Sequence, residues 1–253
     1  MNSLQIMKYI DDGANFYCRQ LGNASHMEFV NNGYYSMIYP KEGQEGGTSL
    51  FDVTLDHLDD EQALKKVKEI KDRNVHTWWG LCLSDRIYNM VWGKDRPVLT
   101  PEQIENGDEF YMAIFSNQKP VYSKPVDDIT IQLVTTLEEF SIWADICNAV
   151  LHGGYPIVHR INHYDICKNG IMPCYIGYYQ GKPVAVSSIL NNNGASSLEF
   201  VATLEEFREK GLAKALCQRA VDDAFSSGAN IITTRAFADA KNLYKSLGFK
   251  IYY

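Results

Sequence analysis

The 253-residue sequence has no surplus of positive charge. Its 24 Lys and Arg stand against 31 Asp and Glu, a formal net charge of −7. A surface that tracks phosphates needs clustered cations interleaved with aromatics, so nucleic acid is not an expected partner. Nowhere do eighteen apolar residues run together, which leaves no membrane-spanning helix to expect. The N-terminal stretch MNSLQIMKYIDDGANF has no long apolar core and no cleavage-like site. The six cysteines, Cys18, Cys82, Cys147, Cys167, Cys174 and Cys217, form no C-x-x-C pair. Zinc and redox motifs therefore lack support, no metal is expected, and the setting expected is cytoplasmic, with reduced thiols. Disorder is equally disfavoured, because 45% of the residues are hydrophobic and the charge is mixed. A chain this long can bury one large core or two smaller ones.

What is present is an ordered succession of elements. Residues 127–136 alternate as a strand, and Leu137 to Gly153 is helical, with Phe140, Ala144, Cys147 and Leu151 along one face. A loop and a short helix follow around YPIVHRINHYDICKNG. Residues 174–203 read as three strands, broken at Gln180-Gly181-Lys182 and at Asn191-Asn192-Asn193-Gly194, both with hairpin chemistry. A helix is predicted from about Lys210 to Ser227, with Leu212, Leu216, Ala220 and Ala224 on its buried side. The strand NIITTRAF, the helix DAKNLYKSLG and the strand FKIYY close the chain. The earlier part predicts strands at HMEFVNN, YYSMIYPKE, TSLFDVTLD, HTWWGLCLS and EFYMAIFS, with helices at DEQALKKVKEIKDRN and DRIYNMVWG. The order strand meander, helix, strand, helix, strand thus occurs twice. SLFDVTLD from Ser49 lies over SLEFVATLE from Ser197, and an internal duplication is the expectation. Proline-bearing KPVYSKPVDD is the expected linker, giving units 1–123 and 124–253.

The stretch EFREKGLAKAL, Glu206 to Leu216, carries the most chemistry. A helix start has four amides without partners and partial positive charge, and a phosphate answers both. Gly211 removes a side chain from the turn, Ala213 keeps another small, and Arg208 and Lys210 add cations. The motif directly follows the strand SLEFVAT and opens an amphipathic helix.

In FVATLEEFREKGLAKAL and ADAKNLYKSLGF the chain resembles the GNAT superfamily of acyl-CoA-dependent N-acetyltransferases, over about residues 129–253. The resemblance implies an α/β (α+β) fold of tandem GNAT-like domains, each with a mixed, mostly antiparallel sheet flanked by helices. It implies acetyl-CoA as cosubstrate and acetyl transfer to a primary amine of a small molecule or peptide by direct attack. Backbone groups of Val201, Ala202 and Thr203 would pair with the pantetheine arm. The segment Arg208, Glu209, Lys210, Gly211, Leu212 and Ala213 would hold the pyrophosphate. Tyr244 would protonate the departing thiolate, since a phenol and a thiol have neighbouring pKa values. Glu199 is the candidate base, because strand alternation puts it on the same face as Val201. His152, His159 and His163 lie where the family builds its acceptor site. Where many relatives have a pantetheine-binding asparagine, this chain has Phe237, leaving Asn242 or Arg235 to supply the contact. No seventh strand is evident, so the open edge calls for cover by the N-terminal half or by a second copy in a homodimer. The contrasting reading is a CoA-binding regulatory or scaffolding module without turnover.

The first half serves as a control. After SLFDVTLD comes HLDDEQALKK, with Asp60 in the place of Arg208, Ala63 in that of Gly211 and Lys65 in that of Ala213. Asp59, Asp60 and Glu61 favour their own helix dipole but repel a pyrophosphate. The first half is therefore expected to lack a CoA site and to wall the acceptor pocket. Tyr34, Tyr35, Trp78 and Trp79 read as core.

Overall fold

The computed structural model describes residues 1–118, 128–155 and 157–253. The expected linker therefore lies outside the described residues, apart from Asp128. The fold class is as expected: mixed α/β, with two sheets flanked by helices.

The chain opens with a helix that the sequence reading did not foresee, α1 (Ser3–Gly22). Asn2 and Gln5 close a reciprocal capping box at its start. Ile6, Ile10, Gly13, Tyr17 and Leu21 recur at three- and four-residue steps, the helical period. Strands β1 (Met27–Asn31), β2 (Ser36–Pro40) and β3 (Ser49–Phe51) form an antiparallel meander, and α2 (Asp60–Asp72) crosses to β4 (His76–Thr77), parallel to β3. Of the expected strand HTWWGLCLS only these two residues pair. Next come α3 (Asp85–Trp92), α4 (Pro101–Glu105) and β5 (Glu109–Phe115).

The second half continues with β6 (Ile129–Leu133), α5 (Leu137–Leu151), α6 (Arg160–Lys168), β7 (Cys174–Tyr179), β8 (Lys182–Asn192) and β9 (Ala195–Thr203). A 3-10 turn (Glu205–Phe207) leads to α7 (Leu212–Ser226), β10 (Ile231–Phe237), α8 (Lys241–Ser246) and β11 (Lys250–Tyr252). Along α5, Phe140, Ala144 and Cys147 are buried as expected, but Leu151 is 43% exposed, at the last turn where the helix leaves the sheet.

The seven-stranded sheet runs β11-β5-β10-β9-β8-β7-β6. Strand β5, read from the sequence as the end of the first half, belongs to this second sheet. It pairs antiparallel with β10 along all of Ile231–Phe237, and with β11 on its other side. The position next to β10 is thus filled from the first half of the same chain, and a cut at 123/124 divides this sheet. Alternation places Phe110, Met112 and Ile114 in the core beneath α7 and α8, and Ala113 against Ile6 and Ile10 of α1. Helix α7 packs close to β7: a Cβ added at Gly177 would sit 3.0 Å from Leu216 Cδ1. The opposite face carries α1, α5 and α6, around Trp143, Phe140, Met172 and Leu190.

Among the described residues, no helix is long and apolar enough to cross a membrane. No group of three or more His, Cys, Asp or Glu among them is arranged to hold a metal ion.

Candidate active site

The site is built on a fault in the sheet. Strand β8 accompanies β9 to Thr203, whereas β10 pairs with β9 only at Ala195, Ser196 and Ser197. Beyond Ser197 the β10-facing edge of β9 has no strand beside it among the described residues. The Thr234 hydroxyl donates to the Leu198 carbonyl at 3.0 Å, close to where the strands part. Strand β9 is also bulged. Ser188 faces Glu199 but Val186 faces Ala202, so three steps along β9 match two along β8. The extra residue is absorbed at Phe200, in the left-handed region at φ 51°.

The bulge corrects one premise of the sequence reading. Leu198 and Val201 both pack toward α7, while Phe200 and Ala202 pack toward α5. A plain alternation would put Glu199 with Val201; the inserted residue puts them on opposite faces. Glu199 shares the face of Ser197, whose Cβ lies 3.8 Å from where α1's Gly13 would carry one. The half-buried Glu199 accepts a hydrogen bond from Ser197 Oγ. Burial raises its carboxyl above the ordinary value, and the Ser197 bond and the Arg235 charge pull it partly back.

The turn before α7 leaves the helix start without a side-chain cap. Gly211 stands at φ 83° as the N-cap and supplies no side-chain cap, and Glu209 is also left-handed at φ 61°. The first turn of α7 contains no acid. Among the described residues, the amides of Glu209 to Lys214 find no protein acceptor. Arg208, Glu209, Lys210 and Gly211 are exposed, Ala213 is partly covered, and Leu212 is buried in the core. Arg208 is held by a 3.3 Å bond from Nε to the Thr203 carbonyl, the terminus of β9. Thr203 is 9% exposed, and among the described residues its Oγ1 is buried without a partner. Ser187, opposite the bulge and fully buried, likewise has an Oγ unpartnered among the described residues. An open strand edge, a run of free amides and two orphaned hydroxyls suit an extended, amide-bearing ligand ending in phosphates.

Tyr244, on α8, is 4% exposed and packs its ring 5.8 Å from that of Phe249. Burial raises its phenol well above 10, the nearby Cys217 adds to this, and the Thr234 hydroxyl opposes it. The expected match to a thiol is therefore weakened: such a phenol stays protonated and acts first as a hydrogen-bond donor. Asn242 is exposed on the first turn of α8. Arg235 is bound to Glu109 at 2.5 Å and lies over Trp78, 4.8 Å from its centroid, so it is committed elsewhere. Phe237 is 61% exposed at the end of β10.

The three histidines are structural neighbours. His163 is buried, its Nδ1 donates to the His159 carbonyl at 3.0 Å, and burial pushes it down to about 4. His159 and His152 are also lowered by burial, and among the described residues His152 Nε2 is buried without a partner. A cavity of about 360 Å³ lies beside them between α5, the start of α6 and the first half, lined by Asn148, His159, Asn162, His26 and Glu45. It does not include Glu199 or Tyr244. Of the aromatics read as core, Tyr35 is fully so, whereas Tyr34, Trp78 and Trp79 are half-buried. The first half brings two residues to the site region that the sequence reading did not place there: Tyr17, 5.9 Å from the Phe200 ring, and Trp78.

Residues 140–249 match the family model described as Acetyltransferase (GNAT) family. They form a GNAT acetyltransferase domain. By family this is an acyltransferase domain, and the match runs from Phe140 within α5 to Phe249, the residue before β11. No curated protein sequence matches the chain. Among solved structures, a GCN5-related N-acetyltransferase from Kribbella flavida is similar at 14% identity and a TM-score of 0.61, covering 99% of this chain and 93% of that one. Another, from Sphaerobacter thermophilus, is similar at 14% identity and a TM-score of 0.54, covering 88% of this chain and 79% of that one. At such identities the likeness is one of fold, and it extends beyond the GNAT domain over both halves of the chain.

Proposed function

We propose that this chain transfers an acetyl group from acetyl-CoA to a primary amine, by direct attack with both substrates bound. The observation that carries the proposal is the parting of β9 and β10 beside a turn of unpaired amides. Acetyl-CoA supplies the activated thioester; everything else is positioning and proton handling by this chain. The free edge from Val201 to Thr203 pairs with the pantetheine arm as an added strand would. The Thr203 hydroxyl finds its partner there. The amides of Glu209 to Ala213, with Arg208 and Lys210, hold the pyrophosphate. Free amides near Val201 stabilise oxygen charge that develops at the carbonyl.

Glu199 lies on the opposite face from Val201 and so takes the proton from an amine that approaches from the α1 side. Tyr244 donates a hydrogen bond to the sulfur from the α7 side. The bulge thus separates the two proton-handling groups across the sheet. The first half holds no second cofactor site; it completes the sheet and walls the acceptor side. The protein works in the cytoplasm, as a monomer or a homodimer, on a small-molecule or peptide amine, with no metal.

The proposal predicts that acetyl-CoA raises the melting temperature and that amines, peptides or aminoglycosides in a panel release free CoA thiol. A thermal shift without turnover of any amine would favour the CoA-binding module, and no shift would remove the cofactor.

A further inference from the structure

Helix α1 lies across the sheet face onto which Glu199 projects. Gly13 packs on Ser197, and one turn later Tyr17 packs on Phe200, with ring centroids 5.9 Å apart. Glu199 lies between these two β9 residues, beneath the Gly13–Tyr17 turn. Gly13 is itself buried where the helix meets β9. On its other side the Tyr17 ring is 6.0 Å from that of His163, which fixes it between α6 and β9. Tyr17 is half-buried, and among the described residues nothing pairs with its hydroxyl.

We propose that Tyr17, a residue of the first half, is an acceptor-site residue of the acetyl transfer, and that its hydroxyl orients the attacking amine toward Glu199. The inference rests on the acetyltransferase reading above. A neutral amine needs its lone pair aimed at the thioester carbonyl and its N–H aimed at a base. As the N–C bond forms, the C–S bond breaks and the sulfur leaves as thiolate. The nitrogen sheds one proton to the Glu199 carboxylate, and the Tyr17 oxygen accepts a hydrogen bond from the remaining N–H. The balance needs no other reactant.

The electrostatics agree. Burial raises the Tyr17 phenol well above 10, so the group is neutral throughout the working range. Cys18, Cys147, Glu199 and Cys174 all push it the same way. The charge facing Glu199 is that of Arg235 on β10, and the Glu199 carboxylate in turn raises the neutral Tyr244 phenol.

Two measurements test the proposal. The first needs no turnover. In protein labelled with 13C at the tyrosine ring, the Tyr17 signal, assigned by its loss in Tyr17→Phe, should shift in Glu199→Gln and on saturation with acetyl-CoA. A signal that ignores both overturns the placement. The second uses whichever amine the panel identifies. Tyr17→Phe should lower kcat roughly tenfold, the worth of one hydrogen bond, and raise KM for the amine while leaving KM for acetyl-CoA unchanged. A purely structural Tyr17 would change stability alone, and unchanged kcat with unchanged amine KM would overturn the role. If no amine is turned over, the acetyltransferase reading itself fails, and the spectrum alone decides where Tyr17 lies.

Discussion

Two helices in this protein start after a strand and cross to a parallel partner, and they start in opposite ways. Helix α2 begins at Asp59, whose side chain accepts the Gln62 amide, with Asp60 and Glu61 in its first turn. Helix α7 begins at left-handed Gly211 with no side-chain cap and no acid. The first start satisfies the Gln62 amide and its dipole from within. The second leaves both to something outside the chain. The same β–α–β geometry therefore states the difference between a crossover that only supports a sheet and one that can seat a ligand. The strands behind them differ as well: β9 is bulged and separates from β10, and β3 is three residues long.

Separating the halves breaks the comparison most severely. Deleting residues 1–118 removes β5 from between β10 and β11 and strips α1 from the sheet. The remainder should lose cooperative melting altogether; a stable, acetyl-CoA-binding fragment would show that the two halves are independent.

The next effect is on chemistry. Glu199→Gln should lower kcat about a hundredfold, the scale of a lost general base, with acetyl-CoA binding retained. A base must be ionised to act, so the wild-type rate should climb as pH rises through the Glu199 pKa. Because burial raises that pKa, the limb should lie above the ordinary value of 4.5. The Gln variant should have no such limb, and a persistent one would assign it to another group.

Smaller effects distinguish the two helix starts directly. Gly211→Ala forces an L-residue into a left-handed position, at a cost of about 1–2 kcal/mol, and should also weaken acetyl-CoA binding. Asp59→Ala removes a cap worth about 1 kcal/mol and should leave acetyl-CoA binding unchanged. Chemical denaturation with and without acetyl-CoA separates these outcomes, and equal ligand effects in both variants would erase the distinction.

Much of this was legible in the sequence because it rests on local signals. The hairpins at Gln180-Gly181 and Asn193-Gly194 depend on residues that tolerate positive φ, and both pairs adopt it. The period of α7 and the Arg208–Ala213 turn are equally local. What escaped depends on long-range packing. Nothing within EFYMAIFS says which sheet it joins, since β5 alternates correctly for either. The spacing of Ile6, Ile10, Gly13 and Tyr17 was available, but a residue's nearness to Glu199 is set by how α1 crosses β9. The bulge at Phe200 was hidden for a similar reason. A phenylalanine carries no signal for left-handed backbone, and only the pairing with β8 reveals the extra residue. That one residue moved Glu199 from Val201's face to α1's.

The central claim is that one helix start of the two holds the pyrophosphate. Calorimetric titration with acetyl-CoA tests it most directly. The account predicts one site per chain in the native protein, weakened about ten- to a hundredfold by Arg208→Glu, the scale of a lost charged hydrogen bond, and unaltered by Asp60→Arg. Two sites per chain, or undiminished affinity in Arg208→Glu, would contradict it.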